Sequence, residues 1–292
     1  MKISVLIPTF NNVSYLKLCI NSLEKYSFFN NHEIIVHVND GSDGTLNFIK
    51  EKNIKYTHSN TNIGLCSSIN KCAKEASHNY LLYAHDDMFF LPKWDFYLSE
   101  VVNKINTKLF YLSSTQICPN DPSKDGEIND IKKNFGTDYK NFDEESLIIN
   151  HDKYSFYDLQ GTHWAPHLIH KELWNQVGGY SEEFNPGYGS DPDFNMKLWQ
   201  IGVRHFQGVN LSRVYHFGSL TTRKNKFIKA NPGKKIFLKK WGITVEMFTR
   251  CYLRRGEKFD GPLINYPKKN LLYFKELVIS KIKILKLFFT KT

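Results

Sequence analysis

The sequence has no pair of cysteines at CxxC spacing. Its five cysteines (Cys19, Cys66, Cys72, Cys118 and Cys251) are odd in number and scattered. That pattern excludes a disulfide-stapled framework and the common zinc-ribbon arrangement, and points to reduced thiols in a cytosolic chain. No run of 18 apolar residues occurs, so no segment reads as a membrane-spanning helix. The opening MKISVLIPTF stops at Pro8 and lacks the apolar core and small-residue cleavage site of a secretory signal. Internal repeats are absent. Acidic residues are scarce in the last quarter. Residues 220–292 hold 19 Lys and Arg against 4 Asp and Glu, a net +15, whereas 1–219 hold 20 against 25, a net −5. A mildly acidic body with a strongly basic tail predicts attraction of the tail to an anionic surface.

What is present suits a sizeable core. The chain has 292 residues, 41% apolar and 15% aromatic, enough for one large α/β domain or two small ones. Ile3–Ile7 reads as a buried parallel strand, broken by Pro8-Thr9-Phe10-Asn11-Asn12. Leu16, Cys19, Ile20 and Leu23 follow at helical spacing, with Ser14 as the expected N-cap. A second strand, 33–38, ends in the turn-rich Asn39-Asp40-Gly41-Ser42-Asp43-Gly44. A short helix at 46–50, a weak strand at 54–57, a turn at 60–64, a helix at 65–76 and a strand at 80–84 complete the rhythm. Repeated β-turn-α with polar residues at the strand ends predicts an open, mostly parallel sheet flanked by helices. Asn11, Asp40, Asn62 and Asp87 then share the carboxyl edge, where such sheets bind ligands.

Residues 119–152, rich in Asn, Asp, Lys and Gly, read as a long loop or insertion. Beyond them, 193–202 reads as a helix and 212–217 as a short strand. The stretch LLYAHDDMFFLP poses a chemical question, because an apolar strand runs straight into two adjacent carboxylates, Asp86 and Asp87. Neighbouring anions repel, and desolvating either is costly, so a positive charge is expected beside them.

Taken in order, IPTFNN, VNDGSDGT, NTNIG, AHDDM and GYGSDPDFNMKLW resemble the inverting family 2 glycosyltransferases, which have a GT-A fold. The resemblance covers about 1–220. It implies a nucleotide-sugar-binding half, 1–115, an acceptor-binding and catalytic half, 116–220, and, outside it, a basic, helical C-terminal extension, 221–292. It implies that a nucleotide-diphosphate sugar is held by Pro8, Thr9, Phe10, Asn11, Asn62 and Gly64, with Asp40 pairing the base, which suits uracil. HDDM resembles the family's DxD metal motif, with His85 at the first acidic position and Asp87 at the last. The resemblance implies Mn²⁺ or Mg²⁺ on Asp87 and the donor diphosphate, and an imidazole suits Mn²⁺ better. Asp86 is left for the ribose or sugar. His216 stands where some members place a further histidine ligand. Asp191 matches the general base that deprotonates the acceptor hydroxyl. Asp193 reads as a first-turn helix carboxylate, and Gly187 and Gly189 as points of close backbone approach. Trp164 serves either as an acceptor-sugar platform or as core packing. The expected acceptor is a glycan or a lipid-linked saccharide.

Two other readings follow from the residues. A sugar nucleotidyltransferase needs a glycine-rich, basic phosphate loop, and IPTFNN holds neither Gly nor Lys. A non-enzymatic binder would use the basic tail on a membrane or nucleic acid. The tail carries Phe227, Phe237, Trp241 and Tyr252 but no recognised nucleic-acid motif, which counts against nucleic acid. His163, His167 and His170 form a rival zinc trio, although Pro166 interrupts any shared helical face. The final LLYFKELVISKIKILKLFFTKT interleaves apolar residues with Lys, with Lys281 aligned with Leu277, Ile284 and Phe288. It is expected to lie on an anionic membrane interface or to pack on the body with lysines outward. The expected location is the cytoplasm or the cytoplasmic membrane face.

Overall fold

The computed structural model describes residues 1–119, 130–218 and 231–289. The N-terminal half alternates strand and helix: β1 (Ile3–Phe10), α1 (Val13–Tyr26), β2 (Glu33–Asn39), α2 (Thr45–Glu51), β3 (Lys55–Ser59), α3 (Leu65–Glu75) and β4 (Tyr80–Tyr83). β1 pairs in parallel with both β2 and β4, and β2 with β3. Residues 3–9 of β1 are buried throughout, as a strand covered by helices on both faces must be. α1 turns Leu16, Cys19, Ile20 and Leu23, the residues whose spacing marked the helix, into the core, and α3 packs against β1 and β2.

The second half supplies β5 (Met88–Phe90), α4 (Trp94–Ile105), β6 (Phe110–Cys118), β7 (Asp130–Lys132), α5 (Glu144–Asn150), β8 (Leu159–Gln160), β9 (His167–His170), α6 (Lys171–Val177), α7 (Ser190–Gln200) and β10 (His205–His216). Among the described residues the sheet has ten strands, with main order β3-β2-β1-β4-β9-β6-β10-β5. β9 is antiparallel to both β4 and β6, while β10 runs parallel to β6 and antiparallel to β5. The expected α/β class, mostly parallel with flanking helices, is what is observed. Strand order reverses at β1 and β4, which opens a crevice at their carboxyl ends.

Three local expectations change. Ser14 does not cap α1. It already lies inside the first turn, and the Val13 amide instead donates to the Asp43 carboxylate (2.8 Å). Segment 119–152 is not a plain loop. Its described part forms β7 and α5, because Phe135, Phe142 and Leu147 have a second apolar cluster to join, built around Phe89, Tyr215 and Phe217. Finally, α7 begins at Ser190, and Pro192 falls in its first turn, where a missing N–H costs nothing.

Beyond 230, α8 (Gly233–Trp241) is followed by two short helical turns and by α9 (Leu271–Phe289). Phe237, Phe248, Leu253 and Leu263 belong to the main hydrophobic core, so the basic extension packs into the body. Phe227 lies outside the described residues.

Candidate active site

The crevice is an open cleft of about 250 Å³. Its walls include Pro8, Thr9 and Phe10 from the end of β1, Asn39 from β2, Asn62 and Leu65 at the start of α3, and His85, Asp86 and Asp87 between β4 and β5. Gly187, Tyr188 and Asp191 close the far side.

The two adjacent carboxylates have different surroundings. Asp86 is buried and accepts a hydrogen bond from the Thr9 hydroxyl (2.6 Å). Burial and the neighbouring Asp87 charge push its pKa well above the usual carboxylate range. Asp87 faces two imidazoles instead. His85, Asp87 and His216 each offer a ligand atom, all within 4.8 Å of one another. His216 arrives from the end of β10, which pairs with β5 directly beside Asp87.

The orientation of His216 is fixed from behind. Gln116 donates its amide N–H to the Ala165 carbonyl (2.6 Å), which turns Oε1 toward His216 Nδ1 at 2.9 Å. Nδ1 therefore carries the proton, and in a neutral ring Nε2 is a bare lone pair. That buried Nε2 has no hydrogen-bond partner among the described residues and lies 3.3 Å from Asp87 Oδ1. A lone pair facing a carboxylate oxygen is unfavourable unless a proton on that nitrogen or a metal ion lies between them. His85 is pushed down to about 4, by burial first and by the nearby His216 second, so its imidazole is neutral at pH 7, as a ligand must be. The donor set, with Gln116 orienting one ligand, fits a divalent ion.

Asp191 stands at the start of α7. Burial pushes its carboxyl up to about 6. The Tyr180 hydroxyl donates to Asp191 Oδ1 (2.8 Å) and opposes that rise. Tyr180 is itself clamped, stacked on Phe194 at 4.6 Å and edge-on to Tyr83 at 5.8 Å. Asp193 is structural in this arrangement. It is fully buried and accepts from Ser181 (2.7 Å) and the Trp241 indole (2.8 Å), with Lys240 at 3.0 Å.

Other expected residues sit at the rim or behind it. Asn11 donates to Asp40 (2.9 Å) and accepts from the Gly41 amide (2.9 Å), so Asn11 and Asp40 form a clasp beside the cleft rather than part of its wall. Asp40 Oδ1 also accepts from the Ser42 amide (3.2 Å), and these bonds hold its carboxyl below the usual range. Gly64 lies behind Asn62, whose side chain accepts the Gly64 amide (2.9 Å). Gly189 touches Gly233 at the start of α8. Trp164 is half-buried off the cleft wall, and its carbonyl accepts from Ser113 (2.8 Å). The rival histidine trio is dispersed. His167 packs on Tyr111, the His170 ring accepts the Glu172 amide as the cap of α6, and His163 faces the Gly161 carbonyl.

Six residues were not anticipated from the sequence: Asn39, Leu65, Gln116, Tyr180, Pro186 and Tyr188. Asn39 stood one position from the expected Asp40, and its amide ties β1 to α3 by donating to the Thr9 carbonyl (3.1 Å) and to Ser68 (3.0 Å). Tyr188 lay in plain view between two glycines. Gln116 gave no signal, because its role depends on a strand neighbour 100 residues away.

The family model described as Glycosyl transferase family 2 matches residues 4–163, more than half of the chain. The chain belongs to this family. Its fold is similar to that of S. aureus TarS residues 1–349, with a TM-score of 0.54 and 17% identity over 74% of this chain and 60% of that one. A longer S. aureus TarS structure gives a TM-score of 0.56 and 15% identity, covering 85% of this chain and 40% of that one. The 1–349 form crystallised with UDP-GlcNAc gives 0.53 and 17%, over 75% and 61%. The chain thus spans less than two thirds of the length of each. A comparison with curated proteins found no match.

Proposed function

We propose that the protein is a metal-dependent inverting glycosyltransferase that moves a sugar from a nucleotide-diphosphate donor, a UDP-sugar, to a hydroxyl of a glycan or lipid-linked acceptor. One observation carries this reading. A cluster able to hold a metal ion (His85, Asp87, His216) and a carboxylate raised to about 6 (Asp191) meet at one cleft, at the strand ends where an α/β sheet binds nucleotides. The TarS structures crystallised with UDP and with UDP-GlcNAc support a uridine donor and an N-acetylhexosamine among the sugars to test.

His85, Asp87 and His216 would hold the ion, and two imidazoles beside one carboxylate favour Mn²⁺ over Mg²⁺. A bound divalent ion supplies charge neutralisation to a leaving diphosphate. Pro8, Thr9 and Phe10 line the nucleotide, the Asn11–Asp40 clasp meets the base at the rim, and Asn62, held by the Gly64 amide, borders it. Asp86, fixed by Thr9, hydrogen-bonds the ribose or sugar. Asp191 takes the proton of the acceptor hydroxyl as that oxygen attacks the anomeric carbon from the face opposite the leaving group. Trp164 and Gly189 border the acceptor path. In this reading 1–115 hold the donor, 116–220 hold the acceptor and catalyst, and 221–292 form the basic extension. A thermal-shift screen of nucleotide sugars with and without Mn²⁺ tests it. A UDP-sugar should raise the melting temperature by several degrees with Mn²⁺ and far less without it. Stabilisation that is indifferent to the ion, or absent for every nucleotide sugar, would refute the proposal.

A further inference from the structure

The C-terminal helix α9 is turned inside out. Its buried side is polar in the middle. Glu276 pairs with Arg250 (2.8 Å), and the buried Ser280 hydroxyl accepts the Thr244 amide (3.1 Å). These contacts fix the rotation of the helix about its axis. The opposite side then shows water a line of large apolar side chains. Leu271, Phe274, Val278, Ile282, Leu285 and Phe289 are 48–86% exposed. Their spacings of three and four residues place them in one stripe along a helix about 28 Å long. A helix that packed only on the body would bury that stripe.

Charge flanks the stripe on both sides. At about 100° per residue, Lys281 falls at one edge and Lys275 and Lys286 at the other. The region from 220 onward carries the net +15. No helix among the described residues is long and apolar enough to cross a membrane. An apolar stripe with lysines along both borders matches a surface that is greasy beneath and negative above. Nucleic acid offers no place for the apolar stripe. A second copy of the chain would bring the lysine rows of two helices together, which repel.

We infer that α9 lies flat on an anionic lipid bilayer, with Phe274, Val278, Ile282 and Leu285 in the acyl boundary and Lys275, Lys281 and Lys286 among the headgroups. This inference is independent of the transfer reaction. The test is co-sedimentation of the full chain with vesicles of phosphatidylglycerol and phosphatidylcholine, and with phosphatidylcholine alone. The wild-type chain should bind the anionic vesicles, and bind the neutral ones at least about tenfold more weakly. The triple variant F274S/V278S/I282S keeps the charge and should lose at least about tenfold in binding. The variant K275E/K281E should lose the anionic preference. Should the serine variant fold poorly, Ile282→Trp gives an independent readout, a blue shift of its fluorescence on anionic vesicles. Failure of the wild type to bind, undiminished binding by a folded serine variant, or an unshifted emission from the Ile282→Trp variant would overturn the inference. So would a wild-type dimer in sedimentation that the serine variant dissociates.

Discussion

Asp191 and Tyr180 make one unit at the scale of single residues. As the proposed base, the carboxylate must be ionised to accept a proton, and burial holds it up at about 6. Transfer should therefore rise with pH through an acidic limb near 6 and level off above it. The Tyr180 phenol donates to Asp191 and stabilises the ionised form. Removing that donor in Tyr180→Phe should move the limb to higher pH, whereas a purely structural loss would lower the rate at every pH. Asp191→Asn should cut kcat by at least about a hundredfold while donor binding survives. A pH–rate profile of each variant checks both statements, and an unmoved limb in Tyr180→Phe would remove Tyr180 from its role.

At the scale of elements, some joints are made by side chains in addition to strand pairing. Asp43 is the clearest. One of its oxygens accepts the Val13 amide at the start of α1 (2.8 Å), and the other accepts the Thr45 amide at the start of α2 (3.0 Å). A single carboxylate thus serves two helix N-termini, each of which would otherwise leave amides unpaired. Asp43→Ala should cost about 1–2 kcal/mol, seen as a lower denaturation midpoint with an unchanged slope. A neutral result would mean that water replaces both bonds. Such joints explain what could be read beforehand. The alternation from β1 to β4 was legible because each element carries its own period, as in Ile3–Ile7 and in Leu16, Cys19, Ile20 and Leu23. HDDM stood out because carboxylates interrupt an apolar run, whereas GSDPDF was read through its resemblance to the family's acidic motif. Gln116 behind His216, and Asp43 in place of Ser14, were not legible, because each depends on a register or loop crossing that no local pattern encodes. The strand at His167–His170 was hidden as well, since three histidines and a proline give no clear period.

Over the whole molecule, the extension is joined to the loop that carries Asp191. α8 lies against the loop that leads into α7. A Cβ on Gly233 would run into the Tyr188 carbonyl, and Gly189 has Gly233 backbone 3.1–3.2 Å from its own Cβ position. Lys240 and Trp241 then reach the buried Asp193 two residues beyond Asp191. Gly233→Val should therefore displace the 186–191 loop and lower kcat several-fold, with a smaller change in donor KM, if Asp191 is the base and 1–115 hold the donor as proposed. Steady-state kinetics with a melting curve would check this, and an unaltered kcat would show that the contact has no bearing on the base.

The meeting of Gly233 and Gly189 also has a hereditary consequence. Two stretches of gene more than forty codons apart code for surfaces with no room between them, so neither can drift alone. Chimeras that exchange only the last sixty residues between relatives should inherit a mismatched seam, and pairs of changes at 188–189 and 233 should arise together or not at all.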